Sequence, residues 1–261
     1  MIKAKKSLGQ NFLTDRNILE TIANIVPIYN KNILEVGPGT GNLTAFILKN
    51  NPKKLIVIEK DDALAANLNS TFKDQLTVIN DDVLNIDENL ILNEKVTVFG
   101  NLPYNISTEI LSKWIINLND NFWFDHLILM FQKEVADRII APFNNSTYGR
   151  LSILANWRLN INKICDISPE SFSPRPKIQS TLIHFTPKKN FTEIKDPKNL
   201  EKITRIFFSH RRKMLKKPFN QIFNGNIDLI DKFNLDLNLR PQNLDFDTYY
   251  KLTIEHEKLS S

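Results

Sequence analysis

The strongest constraint on the fold of this chain is a series of five short apolar runs that alternate with stretches of helical spacing. The runs are continuously apolar, which is typical of strands buried on both faces of a parallel sheet. Helical stretches between such strands supply the crossovers that parallel strands require. The pattern therefore predicts a doubly wound α/β domain. The predicted strands are residues 33–36, 55–58, 76–79, 96–99 and 127–131, and the predicted helices are residues 43–48, 63–68, 110–118 and 135–140.

Two later segments, residues 161–167 and 181–185, have the composition of an antiparallel hairpin at the edge of this sheet. They bring the predicted strands to seven and make the sheet mostly parallel. The segment between them, residues 169–176, is predicted to be a long loop.

Helices are predicted at both ends of the chain. Residues 18–26 keep helical spacing between a cap at Thr14 or Asp15 and Pro27. After Pro187 the pattern becomes polar, basic and helical, with breaks at Gly225 and Pro241. The sequence therefore predicts an α/β domain over residues 1–187 and a small all-α domain over residues 188–261. The predicted C-terminal helices are residues 200–215, 227–233 and 249–257.

Composition excludes several classes of protein. No run approaches the roughly 20 apolar residues of a membrane span, and the first residues lack the apolar stretch of a secretory signal. A single cysteine, Cys165, excludes an internal disulfide framework and a cysteine-cluster zinc site, and the four histidines show no metal-ligand spacing. We therefore expect a soluble, cytoplasmic protein without a metal centre.

The positive charge of the chain is concentrated in one segment. Residues 188–217 contain eleven lysines and arginines against three acids, whereas the whole chain has a net charge of only +5. Such a concentration favours a polyanionic partner, although a solvated helix face is the common alternative. The base-binding motif described below favours nucleic acid as that partner.

A glycine-rich turn and two acids occupy successive strand ends, where open parallel sheets bind ligands. Gly37, Gly39 and Gly41 follow the first predicted strand and let the backbone approach a ligand closely. Glu59 ends the second strand, where it could accept hydrogen bonds from ribose hydroxyls, and Asp82 follows the third, where it could accept from an adenine amine. A dinucleotide-binding fold would explain the glycine turn and Glu59 equally well. Glu35, inside the first strand, either faces the same ligand or only finishes the strand.

The tetrapeptide Asn101-Leu102-Pro103-Tyr104 directly follows the fourth predicted strand. The Asn101 side chain and a backbone carbonyl beside the proline can accept hydrogens from an adenine amine, and Tyr104 can stack on an extruded base. Alone, the motif could be an ordinary strand-to-turn sequence. Combined with the glycine turn, Glu59 and Asp82, it indicates an amino-methyltransferase that uses S-adenosyl-L-methionine.

Several motifs together resemble the ribosomal RNA adenine dimethyltransferases of the small-subunit type, and the resemblance runs nearly end to end. They are Lys6-Ser7-Leu8-Gly9-Gln10-Asn11-Phe12-Leu13, the turn from Gly37 to Thr44, Val57-Ile58-Glu59, Asp82, Gly100-Asn101-Leu102-Pro103-Tyr104-Asn105-Ile106-Ser107, Tyr148-Gly149-Arg150-Leu151-Ser152 and Phe172-Ser173-Pro174-Arg175-Pro176-Lys177.

The resemblance implies an rRNA adenine-N6,N6-dimethyltransferase that uses S-adenosyl-L-methionine. Its substrate would be two adjacent adenines in the hairpin loop near the 3′ end of small-subunit rRNA, within the assembling small ribosomal subunit. Four methyl groups would be transferred in total, without a metal, and a monomer is the default expectation.

The resemblance also implies roles for individual residues. Tyr104 would stack on the target adenine with Phe172 opposite, so that Asn101, Leu102, Pro103, Tyr104 and Phe172 form the catalytic set. The basic segment Arg211-Arg212-Lys213 would bind rRNA. It would lie on a helix that ends at Lys217, because a proline at position 218 disfavours helical geometry at the residue before it. Met214 stands where the family typically has a threonine. The cofactor would be held by Asn11, Leu13, Gly37, Gly39, Glu59, Asp82 and Asn101.

Three alternatives remain open from the sequence. A large-subunit rRNA adenine dimethyltransferase of the antibiotic-resistance type shares the glycine turn and a similar Asn-x-Pro-Tyr motif, but Gly37-Pro38-Gly39, Leu102 and the Arg211-Arg212-Lys213 segment are closer to the small-subunit enzyme. A non-catalytic ribosome-assembly factor could use the same fold. A DNA adenine methyltransferase is less favoured, since nothing in the sequence resembles a domain that reads DNA sequence.

Overall fold

A seven-stranded sheet forms the centre of the α/β part of the protein. The computed structural model describes residues 4–5, 9–92, 94–118 and 122–260, so the predicted motif residues Lys6, Ser7 and Leu8 lie outside the described residues. The strands are β1 (Phe12–Leu13), β2 (Asn32–Val36), β3 (Lys54–Ile58), β4 (Thr77–Ile79), β5 (Val96–Gly100), β6 (Phe124–Gln132), β7 (Leu159–Ile167), β8 (Phe172–Ser173) and β9 (Ser180–Pro187).

The sheet has the strand order β4-β3-β2-β5-β6-β9-β7. The strands from β2 to β6 pair in parallel, and β9 pairs antiparallel to β6, with Leu129 opposite Ile183. This arrangement confirms the predicted mostly parallel, doubly wound α/β fold. The segments predicted as a hairpin, β7 and β9, are hydrogen-bonded neighbours at the edge of the sheet. The loop predicted between them contains a short 3₁₀ turn and β8, which pairs antiparallel to β1.

Helices connect the strands at the predicted places. The first helix begins after Asp15, whose carboxylate accepts hydrogen bonds from two backbone N–H groups, and it ends at Ala23, before the predicted end at Pro27. The helices are α1 (Arg16–Ala23), α2 (Asn42–Lys49), α3 (Asp62–Phe72), α4 (Glu88–Ile91), α5 (Ser107–Ile116), α6 (Lys133–Ile140), α7 (Arg150–Arg158), α8 (Pro197–Ser209), α9 (Lys216–Phe223), α10 (Ile227–Lys232) and α11 (Phe246–Ser260).

The long basic helix predicted for residues 200–215 is wrong in its C-terminal part. Helix α8 ends at Ser209, and residues 210–215 form a turn in which the Lys213 N–H donates to the His210 carbonyl at 2.7 Å. Arg211, Arg212 and Lys213 therefore lie in a turn. Pro218 does not end a helix either, because it occupies the first turn of α9, where backbone N–H groups need no helical partner.

The chain divides into two compact units. One contains Met1–Lys113, Leu118–Ala136 and Ile161–Pro187, and its hydrophobic cluster includes Ile22, Ile47 and Phe99. The other contains Trp114–Asn117, Asp137–Asn160 and Lys188–Ser261, with buried Trp157, Phe207 and Tyr249. Residues 137–160 thus belong to the compact unit of the C-terminal helices, although the sequence groups them with the sheet. Division into functional domains at residue 187 stays a prediction.

Within the described part of the chain, no helix has both the length and the apolarity needed to cross a membrane.

Candidate active site

One cavity at the carboxyl ends of the parallel strands collects the residues that the sequence predicted for the cofactor and the base. These ends meet at one edge of the sheet because β2, β3, β4 and β5 run in the same direction. The predicted residues that line the cavity are Asn11, Leu13, Gly37, Gly39, Glu59, Asp82, Asn101, Leu102, Pro103 and Tyr104.

The glycine turn excludes side chains, because its backbone packs closely against two neighbouring segments. Gly37 and Gly39 have φ angles of +68° and +57°, which residues with a Cβ rarely adopt. A Cβ atom on Gly39 would lie 2.8 Å from Cδ1 of Phe12, and one on Gly37 would lie 3.4 Å from the carbonyl oxygen of Asn101. The turn is therefore shaped by close contact with the N-terminal segment and with the segment after β5.

Glu59 fixes the far side of the glycine turn. Its Oε2 accepts a hydrogen bond from the Gly39 N–H at 3.1 Å, and its Oε1 accepts from the Asp61 N–H at 2.9 Å. Burial raises the pKa of Glu59, against the lowering effect of these two backbone N–H groups. A buried carboxylate that already orders the turn is suited to accept further hydrogen bonds from ribose hydroxyls.

Asp82 lies at the edge of the cavity, after β4. Its Oδ2 is 2.6 Å from Nζ of Lys60, and its Oδ1 accepts from the Leu84 N–H at 3.0 Å. Burial acts to raise the pKa of Asp82, but the Lys60 and Leu84 hydrogen bonds, with the charges of Lys60 and Lys113, lower it overall. Asp82 is therefore an ionised acceptor at neutral pH, as recognition of an adenine amine requires.

Glu35 lines the cavity as a second buried acid. Its side chain accepts a hydrogen bond from the Thr44 hydroxyl at 2.7 Å. Complete burial raises the pKa of Glu35 from 4.5 to about 8, despite the opposing effect of this bond. Glu35 is therefore protonated at neutral pH, and the sequence alternative in which it faces the ligand site agrees with its position.

Asn101 is oriented by the N-terminal segment. Its Nδ2 donates to the backbone carbonyl of Asn11 at 2.9 Å. Since a carboxamide has one nitrogen and one oxygen, this bond assigns Oδ1 as the half that can accept hydrogen from a bound amine. Leu102, next in the chain, is buried, and its side chain packs beside Gly100.

The Tyr104 ring is held through its hydroxyl. The oxygen lies 2.5 Å from Oγ of Ser180 on β9, and the ring is half-buried at the cavity wall. The contact anchors the far end of the ring while Tyr104 lines the cavity. An aromatic ring in the cavity wall can stack on a bound base.

Phe172 is placed differently from the sequence interpretation. It lies on β8 opposite Leu13 of β1, is 4% exposed, and belongs to the hydrophobic cluster with Ile22 and Met130. Its ring packs in the core, and the cavity wall contains Phe12 instead. Pairing of two short strands that are 160 positions apart in the sequence decides this placement, and the sequence gives no local signal of it.

Two side chains near the start of the chain also belong to the site, although no role was predicted for them from the sequence. Lys5 Nζ lies 2.8 Å from the carboxylate of Asp61, and Gln10 Nε2 donates to the same carboxylate at 3.2 Å. Asp61 also caps α3, close to Glu59. The Gly9-Gln10-Asn11-Phe12-Leu13 segment therefore runs from the Glu59 side of the cavity to Asn101.

The three basic residues predicted to bind rRNA have different surroundings. Arg211 donates to the backbone carbonyl of Ser146 and lies 5.9 Å from the ring centroid of Phe208. Arg212 and Lys213 instead line an open groove. The residues lining this groove are Arg212, Lys213, Met214, Lys216, Lys217, Asn220, Asn238 and Arg240. Arg211 thus has a structural contact, whereas the other two contribute to a cationic surface.

Among the described residues, no group of three or more His, Cys, Asp or Glu side chains is arranged to hold a metal ion. The expectation of metal-free chemistry stays a prediction.

Comparison with known proteins identifies similar chains over nearly the whole sequence. The sequence model of the family described as ribosomal RNA adenine dimethylase matches residues 1–258. A protein named ribosomal RNA small subunit methyltransferase A from Pelagibacter ubique is 66% identical, over 99% of this chain and 98% of that protein. A protein of the same name from Ehrlichia chaffeensis is 40% identical, over 97% of this chain and 96% of that protein. The crystal structure of a dimethyladenosine transferase from Plasmodium falciparum superposes with a TM-score of 0.79 at 27% identity, covering 95% of this chain and 98% of that one.

Proposed function

The chain belongs to the ribosomal RNA adenine dimethylase family, and from this premise we propose that it dimethylates the N6 amines of two adjacent adenines in small-subunit rRNA. The methyl donor would be S-adenosyl-L-methionine. The two adenines would lie in the 3′-terminal hairpin loop, and four methyl groups would be transferred in total.

The observation that carries this proposal is the meeting of two sets of residues in one cavity. The glycine turn, Glu59 and Asp82 form one wall, and the Asn101-Leu102-Pro103-Tyr104 segment forms another. The first set suits a nucleoside cofactor and the second an extruded base. A cofactor and a base held in one cavity are what methyl transfer to an adenine amine requires.

The residues present fit S-adenosyl-L-methionine. Gly37 and Gly39 bring backbone without side chains to the cavity wall, Glu59 can accept from the ribose hydroxyls, and Asp82 can accept from the adenine amine. Asn11 and Leu13, which also line the cavity, would close it from the N-terminal side. When bound, the cofactor supplies a methyl group activated by a sulfonium.

The base site addresses the low reactivity of the target. The lone pair of an adenine amine is delocalised into the ring, so the amine is a poor nucleophile. Asn101 Oδ1 and the Leu102 carbonyl would accept its two hydrogens and favour a tetrahedral nitrogen, while Tyr104 stacks on the ring. The amine would then attack the methyl carbon in line as the sulfur leaves, and positioning with electrostatic stabilisation would lower the barrier. Pro103 would set the local turn, because proline fixes its own φ angle.

Phe172 has no proposed contact with the base in the present arrangement, since its ring is buried among core residues. A second ring against the adenine would need either movement of β8 or the ring of Phe12, which lines the cavity.

Small-subunit rRNA in an assembling small ribosomal subunit is the proposed substrate, rather than naked RNA. The name of the 66% identical relative supports small-subunit rRNA, and the basic groove that contains Arg212 and Lys213 supports contact with a polyanion. We further propose that residues 1–187 carry the cofactor and base sites, whereas basic residues of 188–261 contact rRNA phosphates.

The experiment that tests this function offers three substrates in parallel. Labelled S-adenosyl-L-methionine is incubated with undermethylated small subunits, with large subunits and with duplex DNA. We expect the labelled methyl group to appear in small-subunit RNA alone. Label in large-subunit RNA would support the large-subunit alternative, and cofactor binding without transfer to any substrate would support a non-catalytic assembly factor.

A further inference from the structure

The turn that carries Asp82 has little regular structure of its own. Among the described residues between β4 and β5, α4 is four residues long. Within the turn, Asp82 Oδ1 accepts from the Leu84 N–H at 3.0 Å, and the Asp82 carbonyl accepts from the Asn85 N–H at 2.8 Å. A functional side chain on such a turn needs support from a rigid element to keep one position.

Lys113, on helix α5, supplies that support. Its side chain is only 16% exposed, and its ammonium group makes three hydrogen bonds to the turn. Nζ donates to the Val83 carbonyl at 2.8 Å, to the Ile86 carbonyl, and to Oε1 of Glu88 at 3.0 Å. An ammonium group has three N–H bonds, so this contact uses its full donor capacity.

The Lys113–Glu88 ion pair is part-buried, and its carboxylate lies deeper than its ammonium group. The Glu88 side chain is 5% exposed, and removing the positive partner of a buried carboxylate is far more disruptive than removing an exposed one. Loss of the lysine would also remove its hydrogen bonds to the Val83 and Ile86 carbonyls. The three contacts therefore fix residues 83–88 against α5.

Helix α5 also continues from the base-binding segment. It begins at Ser107, three positions after Tyr104, and the Ser107 hydroxyl donates to the Tyr104 carbonyl at 3.3 Å. One helix therefore holds the end of the base-binding segment and the turn with the acid assigned to the cofactor. The positive charge of Lys113 also acts on the Asp82 carboxylate.

We propose that Lys113 is a positioning residue for cofactor recognition. By fixing residues 83–88, which directly follow Asp82, to α5, it holds the Asp82 carboxylate where it accepts hydrogen from the adenine amine. This inference rests on the proposed function, because it assigns that adenine to the cofactor. Lys113 lies outside the set of residues that line the cavity, whereas Asp82 and Val83 lie within it, so its effect passes through the turn that carries them.

The test compares two nucleosides that differ only at the group Asp82 should read. They are 5′-methylthioadenosine and the same molecule with unsubstituted purine in place of adenine. Their dissociation constants are measured by calorimetry for wild type and Lys113→Met. A misplaced charged acceptor should weaken binding of the adenine compound about 10-fold or more, whereas the purine compound should change less than about 2-fold. At saturating cofactor, kcat should stay within about 3-fold of wild type, because the base site is untouched.

Two further variants separate positioning from general damage. Lys113→Arg keeps the charge and several donors, so it should recover most of the adenine preference. Lys95→Met removes an exposed lysine of the same unit, 3.9 Å from Asp125, and should behave as wild type. If Lys113→Met does not fold, Lys113→Gln, which keeps a hydrogen-bond donor, is measured in its place.

Equal weakening for both nucleosides, or no weakening for either, would overturn the proposal. A wild-type protein that binds both nucleosides but transfers no methyl group would instead refute the proposed function. The binding ratio between the two nucleosides would still decide the role of Lys113.

Discussion

Nδ2 of Asn101 donates to the backbone carbonyl of Asn11, 90 positions earlier in the chain, with the two atoms 2.9 Å apart. The N-terminal segment therefore decides which half of the Asn101 carboxamide can accept hydrogen from an amine. Because the same segment reaches Asp61 beside Glu59 through Gln10, the cofactor wall and the base wall of the cavity share one support.

Replacement of Asn101 by alanine should abolish most methyl transfer while weakening cofactor binding less. Removing one preorganised polar group that stabilises a transition state typically lowers kcat by about 10²- to 10³-fold. Single-turnover transfer rates and calorimetric cofactor affinity measure the two effects separately. Asn101→Asp is the matched variant, because it keeps an acceptor but cannot donate to Asn11, and it should be intermediate. Near-normal methylation by Asn101→Ala would refute the role.

Tyr104→Ala should lose much more activity than Tyr104→Phe. A base stacked on an aromatic ring gains about 1 to 3 kcal/mol, and phenylalanine keeps that ring. Ser180→Ala is the matched control, because it removes the same hydroxyl contact from the other side. Methylation rates at subsaturating subunit concentration measure the difference. Equal losses in the alanine and phenylalanine variants would show that the hydroxyl, and not the ring, is what matters.

The free energy of unfolding should fall as pH rises from about 4.5 to about 8, because Glu35 keeps a proton in the folded state that it loses in the unfolded state. Its pKa is about 8 in the folded protein and near 4.5 when exposed, so within this window the folded state binds the extra proton. Stability from a raised pKa is fully present below the unfolded value and is lost as pH rises, by at most about 1.4 kcal/mol per pH unit. Denaturant unfolding of wild type and Glu35→Gln across this range measures the difference. If the free energies of unfolding of the two proteins changed in parallel with pH, the raised pKa of Glu35 would be contradicted, since glutamine cannot titrate.

Arg212 and Lys213 should contribute to RNA binding differently from Arg211. Replacing either groove residue by methionine should weaken binding and reduce the slope of log K against log salt by about 0.7 to 0.9 per charge. Arg211→Met, in contrast to the two groove variants, should lower the melting temperature, because it removes the contact with the Ser146 carbonyl. Filter binding at several salt concentrations, with thermal unfolding of each variant, gives both quantities. An unchanged salt slope for Arg212→Met and Lys213→Met would remove these residues from the RNA surface.

The sheet and the glycine-turn half of the site could be predicted from the sequence because each depends on local patterns. Continuous apolar runs mark buried parallel strands, and residues that follow such strands meet at one edge whatever their separation along the chain. Gly37, Glu59, Asp82 and Asn101 line one cavity for this reason.

Other features depend on long-range contacts that leave no local pattern. Helix α7 has buried residues on nearly all sides, so no apolar stripe with helical period marks it. The core position of Phe172 follows from the pairing of β8 with β1. Lys113 could not be found because two of its three partners are backbone carbonyls, which any sequence supplies.

The proposed function is tested most directly by mass-spectrometric mapping of methylated adenines in undermethylated small subunits treated with S-adenosyl-L-methionine and either wild type or Asn101→Ala. We expect N6,N6-dimethyladenine at two adjacent positions of the 3′-terminal hairpin loop with wild type and almost none with the variant. Modification elsewhere by wild type, or equal modification by both proteins, would contradict it.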